Sequence, residues 1–233
     1  MLEIQWEDTQ VIVVYKPAGV ESQSSRGFSS DMVSELKRHI HSLSPDKGEP
    51  YVGVIHRLDK PVSGIMVYAK TKKAAAELSR QVSGSDMTKK YKVVLCGKVV
   101  DKVDNYVDYL LKDGKTNTSR IVDKGITGAK RAELRFRSQQ TMETKEYGWL
   151  TLADIELVTG RHHQIRVQMA GQGLPVWGDN KYNPVFQDGK KKASIALAAC
   201  ELTFLHPQTK EKMTFRSEPL GAGFDYFSAA ESR

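Results

Sequence analysis

The stretch GVIHRLDKPVSGIMVYAK, residues 53–70, places Asp59 two positions after Arg57, where two apolar runs meet a proline and a glycine. In an extended chain residues two apart point the same way, so the guanidinium and the carboxylate are neighbours. A partly buried carboxylate beside a fixed cation stays ionised, and an ionised, oriented carboxylate is a nucleophile. The commoner use of an aspartate at a strand end is a turn or a cap, and spacing alone leaves both open. A second basic element, GRHHQIR, spans residues 160–166. On paper His56, His162, His163 and Asp59 make a metal-ligand set, but adjacent His162 and His163 diverge on a helix or a strand, and no histidine pair has the i, i+4 spacing of a helical zinc site. No G-x-S-x-G nucleophile turn occurs, and no glycine-rich loop matches a phosphate-cradling pattern. The sequence calls for no metal and no cofactor.

The elements that must position these residues read off the hydrophobic pattern. VIVVYKPAGV is a buried strand, Val11 to Val14, ended by a Pro17-Ala18-Gly19 turn. Ser30 as N-cap and Asp31 in the first turn open a helix with Val33, Leu36, Ile40 and Leu43 on one face, and SPDKGEP breaks it. Residues 51–55 and 64–69 read as two buried strands flanking Asp59, with Gly64 as a flexible exit. KAAAELSRQV after Thr71 is a capped helix, and KYKVVLCGKVV is a strand. Residues 101–127, polar and broken by two glycines, read as an excursion from the core. RAELRF and WLTLADIELVTG are further strands, and RHHQIRVQMAGQG is a short helix with a glycine exit at Gly171 and Gly173. SIALAACELTFLHP and MTFRS are strands of the same sheet. Many strands, few helices and mixed connections predict an α+β fold with a mixed, mainly antiparallel central sheet and flanking helices.

Composition sets the frame. With 233 residues, 39% hydrophobic and 27% charged, and no fixed-period repeat, the chain fits a single domain over residues 1–233. Its first residues are acidic where a signal peptide needs a basic lead, and no apolar run reaches membrane-spanning length. The expectation is a soluble, cytoplasmic, monomeric protein with no membrane partner. Cys96 and Cys200 lie in strand-like apolar runs without a metal-type neighbour and are expected reduced, buried and inert. The net charge of +7 suits a polyanion. The runs KTKK at 70–73, TKKYK at 88–92 and GKKK at 189–192 can neutralise phosphates, although most such runs are solvated surface.

HRLDKPVSGIMVYAK resembles the H-R-L-D-x-x-T-S-G-L-L-x-x-A-K signature of the RluA-type pseudouridine synthases. The resemblance extends to EDTQVIVVYKPAGV, KKYKVVLCG and VTGRHHQIRVQMAGQGLPVWGDNKY and ends in ALAACELTFLHP, covering most of residues 5–207 in the family's order. It implies the pseudouridine synthase fold and an isomerase that detaches uracil from ribose in ribosomal or transfer RNA, turns it and rejoins it through carbon without metal or organic cofactor. By resemblance Asp59 is the catalytic carboxylate, Tyr91 the active-site tyrosine that stacks on the ring, and Arg166 the arginine that pairs with the carboxylate. On strand propensity alone Tyr91 reads as half-exposed. Arg57 matches the arginine associated with the place of the extruded base. His56, Arg161, His163 and Gln164 fit positions near the site, for RNA contact or support.

The chain departs from the family's pattern at three places. Val62 stands where a threonine is usual, Gln168 where R-V-H has histidine, and Ala198 where A-L-H-A has histidine; these put substrate contacts in question. There is no room before Glu7 for the small S4-like RNA-binding domain of many relatives, so target selection is expected from the catalytic domain. Two rivals stand beside the synthase: an RNA-binding or RNA-folding module on the same scaffold that catalyses slowly or not at all, and a hydrolase that releases free uracil. The retained set of Asp59, Tyr91 and Arg166 argues against both, since a binder has no physical need of it.

Overall fold

The computed structural model describes residues 2–24, 31–84, 86–189 and 193–228. In chain order the elements are β1 (Glu3–Glu7), β2 (Val11–Lys16), α1 (Met32–Leu43), a 3-10 turn (Pro45–Lys47), β3 (Gly53–Val54), β4 (Ser63–Ala69), α2 (Lys72–Gly84), β5 (Thr88–Cys96), β6 (Val103–Asp113), β7 (Thr118–Val122), β8 (Lys130–Thr144), β9 (Gly148–Leu157), α3 (Gln164–Gly171), α4 (Pro184–Gln187), β10 (Leu197–Leu205), β11 (Lys212–Arg216) and α5 (Asp225–Ser228). This is an α+β chain of mostly antiparallel sheet with few helices. It divides into two compact units, residues 1–89 with 199–218 and residues 90–198 with 219–233.

In the first unit the strands run β1-β2-β4-β10, with β3 on β4 and β11 on β10. β2 and β4 are buried on both faces, which is why they read as continuous β-branched runs instead of alternating ones. Val11 and Val13 of β2 and Ile65, Val67 and Ala69 of β4 share a core cluster with Ala74 and Leu78 of α2. Thr71 Oγ1 accepts the Ala74 N–H at 3.0 Å and caps that helix as expected. The cap of α1 is Asp31, whose carboxylate accepts the Ser34 N–H at 2.8 Å; Ser30, the expected cap, lies outside the described residues. Leu43, assigned to the apolar face, is 63% exposed, because the last turn of α1 overhangs the core. The run expected over 51–55 pairs only at Gly53 and Val54. Gly64 is no flexible exit: at φ +132° it lies so close to the Ala199 backbone that a Cβ would sit 2.3 Å from the Ala199 carbonyl oxygen.

In the second unit the order is β5-β9-β8-β6-β7. Residues 101–127, read as an excursion from the core, consist mostly of the antiparallel hairpin β6–β7, in which Tyr109 pairs with Val122 and Asp113 with Thr118. Asn117 in its turn has φ +51°, a left-handed conformation that asparagine tolerates. Tyr106 and Leu110 alternate inward from β6 and supply the apolar anchors that a residue count understated. A second cluster joins Val94, Leu150, Trp177 and Phe186 to Phe224 and Phe227 beside α5. Cys96 and Cys200 are in no disulfide and are half-buried, not buried; Cys96 Sγ accepts from Asn183 Nδ2 at 3.3 Å, and burial pushes its thiol pKa up. Among the described residues no helix is long and apolar enough to cross a membrane.

Candidate active site

Asp59 sits half-buried at the start of a turn between β3 and β4 that closes with a hydrogen bond from Val62 N–H to the Asp59 carbonyl at 3.0 Å. The chain on both sides of it is fixed through backbone atoms. Ser22, 3% exposed, both accepts the Leu58 N–H at 3.0 Å and donates to the Leu58 carbonyl at 2.9 Å. On the other side Gly19 N–H donates to the Lys60 carbonyl at 2.8 Å. That carbonyl also lies 3.3 Å from the ammonium of Lys16, which donates to Val20 O at 2.7 Å and Pro17 O at 3.0 Å. Lys16 is fully buried. Burial pushes its pKa down to about 8, opposed by the carboxylate of Asp59, which raises it. A cation satisfied by three carbonyls therefore underlies the turn and gives Asp59 a counter-charge within its own unit.

His56 and Arg57 share this loop. His56 Nε2 accepts the Val67 N–H at 3.2 Å, which fixes the ring proton on Nδ1 and ties the loop to β4. Burial, with the nearby charge of Lys89, pushes its pKa down to about 3. His56 is thus a neutral support. Val62, the departure from threonine, is buried. Arg57 is exposed. Lys70 of the basic run at 70–73 donates to Glu7 Oε1 and Asp8 O, both at 2.6 Å, and its charge is spent inside the protein; of GKKK, residues 190–192 lie outside the described residues.

In the second unit Tyr91 lies on β5 opposite Ile155 and is buried, where strand propensity suggested a half-exposed ring. Arg166 projects from α3 and is 3% exposed. Its Nε and one terminal nitrogen donate to the two carboxylate oxygens of Asp179, both at 2.7 Å, a bidentate pair of the strongest kind. Asp179 follows Gly178, whose Cβ would sit 2.3 Å from Ser194 O. Gln164 is buried, with its Oε1 accepting from Thr159 Oγ1 and Arg161 N–H, both at 2.9 Å, and its Nε2 donating to Glu133 O at 3.0 Å. It clasps the start of α3 to β8. Arg161 is exposed and donates from Nε to Arg131 O at 2.8 Å. His163, left-handed at φ +53°, caps α3 with its Nδ1 2.8 Å from the Tyr182 hydroxyl. Gln168 is fully buried, and its Nε2 donates to Asp108 Oδ2 at 2.7 Å. The departure from histidine there serves the packing of α3 on β6. Ala198, the third departure, is a core residue of the second unit.

Lys16, Ser22, Asp179 and Tyr182 were not singled out in the sequence. Lys16 did carry a signal, a lone cation ending an otherwise apolar strand before Pro17. Among the described residues no group of three or more histidine, cysteine, aspartate or glutamate side chains is arranged to hold a metal ion.

The sequence profile of the RNA pseudouridylate synthase family matches residues 10–171, and the chain belongs to that family, in its RluA-type branch. It is 33% identical over 221 residues to an uncharacterized RNA pseudouridine synthase, YlyB, of Bacillus subtilis (strain 168), covering 93% of this chain and 68% of the relative. It is 28% identical to tRNA pseudouridine synthase C of Vibrio vulnificus (strain CMCP6), covering 94% and 91%. To ribosomal large subunit pseudouridine synthase C of Escherichia coli (strain K12) it is 30% identical, covering 94% and 67%. The solved structure of human RNA pseudouridylate synthase domain containing 4 superposes with a TM-score of 0.75 at 20% identity, covering 98% of this chain and 92% of that one, and shares the fold. The chain is an RNA pseudouridine synthase, an isomerase.

Proposed function

We propose that this enzyme isomerises uridine in structured ribosomal or transfer RNA, with Asp59 as the catalytic carboxylate that attacks the substrate, Tyr91 stacked on the uracil ring and Arg166 as the carboxylate's counter-charge. The observation that carries the reading is the Asp59 turn. A half-buried carboxylate held through the backbone at Leu58 and Lys60, beside a buried ammonium, is oriented for attack and loses little freedom when it attacks. A uracil anion spreads its charge over the ring and is retained for re-attachment, so no second carboxylic acid is needed, unlike in most glycosidases. Arg57, exposed on the same loop, takes the place of the extruded base and offsets the cost of unstacking it. Arg161 contacts the RNA, and His56, His163 and Gln164 support the loops that bear the reacting groups. The named activities of the Vibrio and Escherichia relatives support transfer or ribosomal RNA as the substrate class.

The test is tritium release from RNA labelled at carbon 5 of uridine, on pooled ribosomal and transfer RNA, with wild type and Asp59→Asn side by side. Release by wild type alone is the expected result. Silence from both leaves either an absent substrate or the binding module, and free uracil among the products rejects the synthase reading in favour of a hydrolase.

A further inference from the structure

The β6–β7 hairpin has no part in the function proposed above, yet side chains distant in sequence are spent on holding it. Lys181 Nζ donates to Asn117 O at 2.8 Å in the hairpin turn. His162 bridges the same turn, with Nε2 3.1 Å from Asn117 Oδ1 and Nδ1 2.9 Å from Ser119 Oγ. The backbone N–H of Ser119 donates to the Tyr182 hydroxyl at 2.7 Å, and the same hydroxyl is hydrogen-bonded with His163 Nδ1 at 2.8 Å. Tyr182 is thereby held at its tip by β7 and by the cap of α3.

The ring of Tyr182 is held for a purpose. Its face lies 5.3 Å from the guanidinium carbon of Arg166, within the range of a cation–π contact. Asp179 grips the same guanidinium along its edge. The Asp179 carboxylate also accepts the N–H groups of Lys181 at 2.8 Å and Tyr182 at 3.2 Å, so one short segment, residues 179–182, supplies an edge clamp and a face clamp. A guanidinium pinned on edge and face keeps one orientation, which an arginine on a helix surface does not.

We propose that Tyr182 is a positioning residue for Arg166, and that the β6–β7 hairpin is the anchor that sets its ring. The proposal rests on reading Arg166 as part of the catalytic set. Tyr182 acts through Arg166 and touches no reacting atom, so its loss is felt in the rate of the chemical step and not in RNA affinity.

The experiment compares wild type, Tyr182→Phe, Tyr182→Leu and Arg166→Lys by single-turnover rate, by the Kd for the RNA pool on which wild type is active, and by the NMR signal of the Arg166 Nε–H. Tyr182→Leu is expected to lower the single-turnover rate about thirtyfold with Kd unchanged, the size of a desolvated cation–π contact. Hydrogen exchange at Arg166 Nε–H is expected to quicken in the same variant. Tyr182→Phe keeps the ring and loses the tether, and is expected to fall between wild type and Tyr182→Leu on both readouts. A wild-type rate and unchanged exchange in Tyr182→Leu overturn the proposal, as does a loss confined to Kd. Should Tyr182→Leu fail to fold, an unchanged Arg166 signal and rate in Tyr182→Phe overturn it equally. Arg166→Lys separates the two levels: a wild-type rate there defeats the catalytic reading of Arg166 and the proposal with it, whereas an impaired Arg166→Lys beside an unimpaired Tyr182→Leu defeats the positioning role alone.

Discussion

Around Asp59 the fixing atoms are mainly backbone: the Leu58 and Lys60 amide groups, held by Ser22, Gly19 and Lys16. Around Arg166 they are side chains: the Asp179 carboxylate on the edge, the Tyr182 ring on the face, with His163 behind the ring. The difference matches what each group is asked to do. A carboxylate that must move on to a substrate atom is best held by its loop, so that the backbone stays fixed while the side chain reacts. A guanidinium that must stay in place is best held by its own nitrogens. The contrast also predicts different failures for the two groups themselves: loss of the Asp59 carboxylate should damage activity, and loss of the Arg166 guanidinium should damage stability as well.

Four substitutions break or sharpen that contrast. Asp59→Asn is nearly isosteric and leaves every backbone contact of the turn in place; tritium release should fall at least about a thousandfold, as for removal of other catalytic groups, while the thermal melting curve stays unchanged. A melting curve that collapses instead would make Asp59 a structural residue. Arg166→Ala should cost about 3–5 kcal/mol of stability, because it strands the fully buried Asp179 carboxylate. Denaturant melts measure it, and the double change with Asp179→Leu should recover part of the loss; if it recovers none, the pair is not what the single change broke.

The third concerns Lys16, whose pKa lies at about 8 in the folded chain against 10.5 ordinarily. Below pH 8 both folded and unfolded chains carry the proton, and burial of the charge costs about 3 kcal/mol. Between pH 8 and 10.5 the unfolded chain binds more protons, so stability from this group rises with pH. A pH series of urea melts should show the rise in wild type and its absence in Lys16→Met. Asp59→Asn removes the carboxylate that holds the pKa up, and the NMR titration of Lys16 should then move below 8; an unmoved midpoint would separate the two charges. The smallest effect is expected of Ser22→Ala, which leaves the buried Leu58 N–H and carbonyl without their partner and should cost about 1–3 kcal/mol, read by the same melts.

What was legible in the sequence follows the same division. The Asp59 loop is contiguous, so its motif, its flanking strand β4 and the capped helix α2 are visible from order and periodicity. Arg166 was visible as a residue, but its partner Asp179 lies thirteen positions on, past the glycine exit of α3, and no periodicity joins them. Gln164 was expected near the site and Gln168 only as a departure from histidine; both are buried clasps, because a short helix with its first six residues buried has no wet face to offer them. The hairpin of residues 103–122 was hidden by its composition: its charged side chains belong to the exposed face of regular strands, and the turn relies on Asn117 where a hairpin search looks for Asn-Gly. Lys16 was passed over because a lysine in a strand is ordinarily a snorkelling surface residue, and nothing local says that three carbonyls await it.

The boundaries of the first unit have a consequence for synthesis. Residues 1–89 need residues 199–218 to complete them, since β10 is the strand beside β4 and β3 covers that edge only at Tyr68 and Ala69. A chain made from its N-terminus must therefore hold β4 with most of one edge unpaired while residues 90–198 are added. An apolar strand in that condition is a template for association with other chains. The yield of folded protein during translation should thus be governed by how soon Ala199 arrives to close against Gly64.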